Sequence, residues 1–288
     1  MKTATIGNAQ YSIPTKFDEL TLDQLAQVLT CRLYYSHIVE NYEDAILKLK
    51  IQVLRLLVTF PTEVWIQLTT QQIWFLCQQV TWCFKAKIEK QPFKSFVVNG
   101  VEYHVFAENF ADTSTIELAI ATILYLSYAK SKGENKAVFY ELLATIARPA
   151  RPDLETFRNS TDWTGDVREP YNQILAQERA KIFEAHLPFG LAIALLHYWE
   201  HTNSTFLKRY EKLFDGDGDD SPPVFKNGRG MLALLEEVAE LNVFGNIKTV
   251  YEQNVHNVFM FLEHKKTKVE QAEKAQREAD RHNNHNND

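Results

Sequence analysis

The sequence predicts a mainly α-helical chain, a multi-helix bundle carrying one or two short β-hairpins at residues 2–13 and 93–106. Three observations lead there. Chain breakers are scarce, with 10 glycines and 9 prolines among 288 residues, about half the usual ~12% share. Apolar residues make up 45% of the chain and recur at helical spacing over long stretches. Finally, Asn99-Gly100 separates two β-rich runs, FKSFVV and VEYHVF. That dipeptide suits a type I′ turn, which needs positive φ at both central residues.

The elements follow in chain order. Thr3 to Ile6 and Gln10 to Ile13 read as strands about Gly7-Asn8, closed by Pro14. Thr21 is an N-cap for LDQLAQVLTCRLYY, and YEDAILKLKIQVLRLLV runs as a second helix to Pro61. Thr69 or Thr70 opens a third, QQIWFLCQQVTWCF, whose apolar positions Ile73, Trp74, Cys77, Val80, Trp82 and Phe84 predict burial on most sides. After the Asn-Gly hairpin, Thr115 to Ala129 and Ala137 to Ala147 read as helices that end at Pro149 and Pro152. An irregular stretch reaches Glu169, followed by helices over YNQILAQERAKIFEAH and, after Pro188, FGLAIALLHYWEH. Ser204 reads as the cap of one more, STFLKRYEKLF. MLALLEEVAEL and the run from Ile247 are helical, and the last segment loses its apolar stripe.

The expected organisation is a hairpin plus helices over 1–92, a second hairpin plus helices over 93–214, and an acidic linker over 215–230. C-terminal helices over 231–268 and a charged, disordered tail over 269–288 complete it. One internal echo cuts across these pieces. Ile6-Gly-Asn-Ala-Gln-Tyr11-Ser-Ile13 aligns with Val98-Asn-Gly-Val-Glu-Tyr103-His-Val105 at an offset of 92. One inserted residue later, Phe17, Thr21, Leu25 and Ala26 align with Phe110, Ser114, Leu118 and Ala119. The chain thus spells hairpin, Phe, capping hydroxyl and helix twice, which predicts a duplicated module whose hairpin can serve as an arm for a partner strand.

Composition also excludes function classes. Charges interrupt every apolar run before the ~18 residues that cross a bilayer, and MKTATIGNAQYSI has no signal-peptide core, so a soluble cytoplasmic product with no membrane partner is expected. The net charge of −6 arises from interspersed acids and bases, without the clustered Lys and Arg that nucleic acid requires. Cys31, Cys77 and Cys83 form an odd set with no Cys-x-x-Cys pair and read as small buried hydrophobes.

Candidate chemistry is sparse. His197-Tyr-Trp-Glu200-His201 is an H-x-x-E-H string, the spacing at which two histidines share a helix face and a zinc with Glu as general base. It gives the alternative reading of a zinc metallopeptidase or hydrolase, with Glu236, Glu237 or Glu240 for a third ligand. Against it, no strand of an α/β peptidase domain precedes the string, and His201 is expected near a helix end. Asp215-Gly-Asp217-Gly-Asp219-Asp220 opens like a calcium loop, but the sixth and twelfth positions hold Asp220 and Lys226 where Gly and Glu are needed. Gly228-Arg-Gly230-Met-Leu-Ala233 imitates a dinucleotide fingerprint with no strand before it, so a helix start is expected. The stripe Trp65, Trp74, Phe75, Trp82 and Phe84 is expected in the core. Arg148, Arg151 and Arg168 are expected to pair at the surface with Asp153, Glu155, Asp166 and Glu169, each pair contributing about 0–1 kcal/mol. No catalytic, cofactor or metal residue is therefore assigned.

Several segments together resemble a group of proteins encoded among the virion and tail-assembly genes of tailed bacteriophages and prophages. They are QYSIPTKFDELTLDQLAQ, NGVEYHVFAENFADTSTIELA, LLATIARPARPD, ERAKIFEAHLPFGLAIAL and VFGNIKTVYEQNVHNVFMFLEHKKTK. The resemblance implies a chaperone-like role in tail morphogenesis or virion assembly, with virion or tail subunits as partners. It carries over no catalytic residue. The expectation is a non-enzymatic interaction factor that acts through helical surfaces and hairpin arms, in the host cytoplasm or the virion, with homo-oligomerisation a further option.

Overall fold

A computed structural model of the chain describes residues 1–37, 43–213 and 229–285. The fold is mainly α, 66% helical with two small antiparallel sheets. In chain order the elements are β1 (Lys2–Ile6), β2 (Ala9–Ile13), α1 (Leu22–His37), α2 (Glu43–Leu57), α3 (Thr62–Gln67), α4 (Thr70–Gln79) and α5 (Trp82–Lys85). Then come β3 (Ser95–Val98), β4 (Val101–Val105), α6 (Thr115–Lys130), α7 (Lys136–Ile146), β5 (Ala147–Arg148), α8 (Leu154–Arg158) and α9 (Gln173–His186). The last are α10 (Phe189–Arg209), α11 (Arg229–Glu240), α12 (Ile247–Glu252) and α13 (Val255–His285).

Both predicted hairpins are present. Ile6 pairs with Ala9 across one turn and Val98 with Val101 across the other. Asn99 and Gly100 have φ of 49° and 78°, the positive pair of a type I′ turn. The first hairpin turns with positive φ at Gly7 alone, as type II′ does. In both copies a single 3₁₀ turn follows, over Phe17–Glu19 and Glu108–Phe110, and a hydroxyl caps the next helix. Thr21 Oγ1 accepts from the Gln24 N–H at 3.2 Å and Ser114 Oγ from the Glu117 N–H at 3.4 Å. Phe17, Leu25 and Ala26 are buried, as are Phe110, Leu118 and Ala119.

The chain divides into two compact units. Unit 1 comprises Met1–Val105 and Lys181–Thr202; unit 2 comprises Phe106–Ala180 and Asn203–Asp288. In unit 1, α1 packs on α2 and α5, and α2 on α4, around Leu25, Leu29, Val53, Leu54, Cys77 and Val80. Phe96, Tyr103 and Phe183 stack together there. In unit 2, α6 packs on α7, α11, α12 and α13, and Phe110, Phe206, Tyr210 and Phe259 form an aromatic cluster.

Several sequence expectations need correction. The predicted third helix breaks into α4 and α5, and the apolar segment before it forms α3, which periodicity did not reveal. Ser204 caps nothing, because α10 runs unbroken from Phe189 to Arg209 and places His201 in its interior. The run from Ile247 breaks between α12 and α13. There Thr115 N–H donates to the Gln253 carbonyl at 2.9 Å and Val255 N–H to the Thr113 carbonyl at 3.0 Å, so sheet-like pairing takes the place of helical bonds. α13 then continues to His285. The acidic loop, with Asp215, Asp217, Asp219, Asp220, Lys226 and Gly228, lies outside the described residues. Arg229 and Gly230 open α11.

Candidate functional site

Unit 2 holds a buried ion cluster at the irregular stretch after α7. Pro149 cannot continue the helix and holds the residue before it extended, so α7 ends at Ile146 and Arg148 lies on β5. The chain returns along itself, with Arg151 N–H donating to the Val167 carbonyl at 3.0 Å and Glu169 N–H to the Pro149 carbonyl at 2.8 Å. This pairing sets Arg148 and Arg168 side by side, each 1% exposed.

Glu117, from the first turn of α6, lies between them. Its carboxylate accepts from Arg148 Nη2 at 2.8 Å and from Arg168 Nη1 at 2.7 Å. Asp166 bridges the same pair, taking Arg168 Nε at 2.7 Å and Arg148 Nη2 at 3.1 Å. Asp112 adds a contact to Arg168 Nη2 at 3.4 Å and caps the Ala107 N–H at 2.8 Å. Arg148 and Arg168 are therefore buried rather than surface partners, and Glu117, which joins them, has no signal in the sequence that marks it. Arg151 does pair with exposed Asp153, while Glu155 meets Arg158 and Glu169 meets Arg179.

Electrostatics follow from the burial. Desolvation opposes the charge of Arg168, but Glu117, Asp166 and Asp112 outweigh it and raise its pKa. Desolvation raises the carboxyl of Asp112 despite Arg168, and raises that of Glu117 against the pull of Arg148 and Arg168. The cluster thus has one carboxylate more than its two guanidiniums; burial displaces both Asp112 and Glu117 toward the neutral form, and Asp112 has the fewer ion-pair contacts of the two.

Beside the cluster is a cavity of about 800 Å³ within unit 2. Arg148, Arg168 and Tyr171 line one part of it, Phe157 and Trp163 another, and Tyr251 of α12 with Asn254 of the α12–α13 connection a third. Arg151 lies 3.4 Å from the centre of the Phe157 ring, and Trp163 packs edge-on against that ring at 5.4 Å. Burial and nearby Glu141 push the Tyr171 phenol up to about 12, so it is a neutral O–H.

The H-x-x-E-H residues lie within α10. His197 is half-buried, and desolvation with the nearby Arg32 cation lowers its pKa. Among the described residues no group of three or more His, Cys, Asp or Glu is placed to hold a metal ion. The three cysteines are buried, and desolvation pushes Cys83 up to about 12. No helix among the described residues is long and apolar enough to cross a membrane.

The aromatic stripe divides. Phe84 is buried and Trp65 half-buried against Phe60 and Arg55, but Trp74 is 56% and Phe75 61% exposed, and Ile66 of α3 is 79% exposed. Two of the residues expected in the core therefore face outward. The pattern identified an apolar helical segment, but among the described residues the buried side chains of α4 are Leu76 and Cys77. No family model matches the chain, and neither a curated protein nor a solved structure matches it.

Proposed function

We infer that this chain is a non-enzymatic interaction protein of virion or tail assembly. In this reading it is an adaptor or chaperone in the host cytoplasm that holds an apolar segment of a partner subunit on the outer side of α3 and α4. The observation that carries the reading is the exposure of Ile66, Trp74 and Phe75 within ten residues of chain. Ile66 on α3 and Trp74 and Phe75 on α4 are large apolar side chains left in solvent, the residue type that marks an interaction site where several adjoin, and aromatic residues dominate the energetics of such sites.

The chemistry of the segment supports an apolar partner. No charged residue occurs from Val64 to Phe84, so recognition there rests on burial of apolar surface and not on charge pairing. Arg148 and Arg168 of unit 2 are already held by carboxylates and are not free to attract an acidic partner. The virion setting rests on the resemblance of the segments named above. Affinity purification of the full-length chain from phage-producing cells tests it. Virion or tail subunits should be recovered with the wild type and lost with the doubly substituted Trp74→Ser/Phe75→Ser chain. Recovery of no virion protein, or equal recovery with both chains, overturns the reading.

A further inference from the structure

We propose that the unit 2 cavity is a binding site for an uncharged amide, received by Arg148 and Tyr171 and flanked by Phe157 and Trp163. The site is independent of the α3–α4 surface. Arg148 is 1% exposed and uses three hydrogen bonds, from Nη2 to Glu117 and Asp166 and from Nη1 to the Thr145 carbonyl. Its Nε–H is buried and has no partner, and the Tyr171 hydroxyl is likewise buried and unpartnered. Both residues line the same cavity. A buried donor left unpaired is costly, so the wall favours a ligand that brings an acceptor.

Charge decides which acceptor. Glu117 and Asp166 already neutralise the two guanidiniums and Asp112 adds a third carboxyl, while the other charged residues of the lining, Arg151 and Lys248 against Asp162 and Glu252, are two of each sign and leave that balance as it is. An anion would add negative charge to a buried site already supplied with it, at a cost that low-dielectric surroundings magnify. A cation has no acceptor for Arg148 Nε–H or the phenol. A neutral carbonyl satisfies the donors without disturbing the balance. The cavity, at about 800 Å³, falls in the size range of small-molecule sites, which combine apolar walls with a few convergent polar groups. Phe157 and Trp163, 5.4 Å apart and edge-on, provide the apolar wall for an aromatic or aliphatic body, which suits an amino-acid amide or an exposed peptide turn.

Benzamide, benzoate and benzamidine share one shape and differ in charge, and calorimetric titration of the full-length chain with each tests the proposal. Benzamide should bind saturably at about 10 mM or below, the ordinary range for a ligand of its size. It should bind about tenfold or more tightly than the other two. Tyr171→Phe, with one hydrogen bond removed, should weaken benzamide by about 2- to 10-fold. Trp163→Ala, at a residue already 37% exposed, should weaken it while leaving the melting temperature near that of the wild type. Tighter or equal binding of benzoate or benzamidine overturns the assignment. So does absence of saturable benzamide binding, or binding unaffected by both variants, which would leave water as the partner of the two donors.

Discussion

Glu117 spans two guanidiniums: its Oε1 accepts from Arg168 Nη1 at 2.7 Å and its Oε2 from Arg148 Nη2 at 2.8 Å. The Glu117 side chain is 1% exposed, and those of its partners no more. A buried ion pair adds little net stability over a hydrophobic equivalent, but removal of one partner leaves charge that nothing compensates. Glu117→Gln should therefore destabilise the chain by about 3–5 kcal/mol. The expected reading is a lower denaturation midpoint at unchanged slope in urea. A loss under about 1 kcal/mol, within the range of exposed pairs, would show that the cluster is solvated.

The importance of Glu117 could not be read from its own neighbourhood. It stands three residues after the cap Ser114, as Gln24 stands three after Thr21, and such a residue ordinarily reaches back to the cap N–H. Gln24 does so, with Oε1 3.1 Å from the Thr21 N–H. Glu117 instead points to arginines 31 and 51 residues away, a relationship set by the return of the chain after Pro149. Local signals such as Asn99-Gly100 and the hydroxyl caps were legible because they act over two to four residues. The exposure of Trp74 and Phe75 was not legible, because helical periodicity identifies an apolar face without specifying whether another element covers it.

Gly190 of α10 lies tightly against the backbone of α1 at Ala26. A Cβ built there would lie 1.8 Å from the Ala26 carbonyl oxygen, backbone that no side-chain rotation can move aside. Gly190→Ala should cost about 3 kcal/mol or more, at the upper end of overpacking effects, although alanine is the better helix former by about 1 kcal/mol. A thermal melt distinguishes the outcomes: a melting temperature equal to or above wild type would mean that the two helices separate freely.

His256 should make unit 2 acid-sensitive. Its Nε2 lies 2.7 Å from the Asn109 carbonyl and so carries the proton, which leaves Nδ1 to accept from the Tyr210 hydroxyl at 2.8 Å. Desolvation, aided by the Arg209 cation, lowers its pKa below the ordinary 6.5 despite the Asn109 bond. The unfolded chain therefore takes up the proton first. The stabilisation is complete above pH 6.5 and falls as pH drops through 6.5 and then through the lower folded value. His197 shifts in the same direction. The loss should release the turn at Asn109 and Phe110, both at φ of 56°, a conformation costly for a bulky residue such as Phe. Melting temperatures across pH 8 to about 5 should fall for the wild type and fall less for His256→Gln; identical slopes would exclude His256 as the titrating group.

The outward pair on α4 separates stability from recognition. Trp74 and Phe75 leave more than half of their surface in solvent, so each gains only a fraction of the burial energy of a core aromatic. Substitution to serine at either position should change unfolding free energy by about 0.5 kcal/mol or less, with serine's lower helix propensity offsetting part of any gain. Partner binding should respond quite differently, since truncation of an aromatic anchor at an interface costs ~2 kcal/mol or more, a loss of at least about thirtyfold in affinity. Trp82, half-buried with its indole N–H donating to the Pro14 carbonyl at 3.0 Å, provides the contrast. Trp82→Ser should lower the melting temperature through a lost hydrogen bond and lost packing against Phe17. If Trp74→Ser and Phe75→Ser destabilise the isolated chain as much as Trp82→Ser does, the α4 side chains are part of the core and the apolar docking surface does not exist.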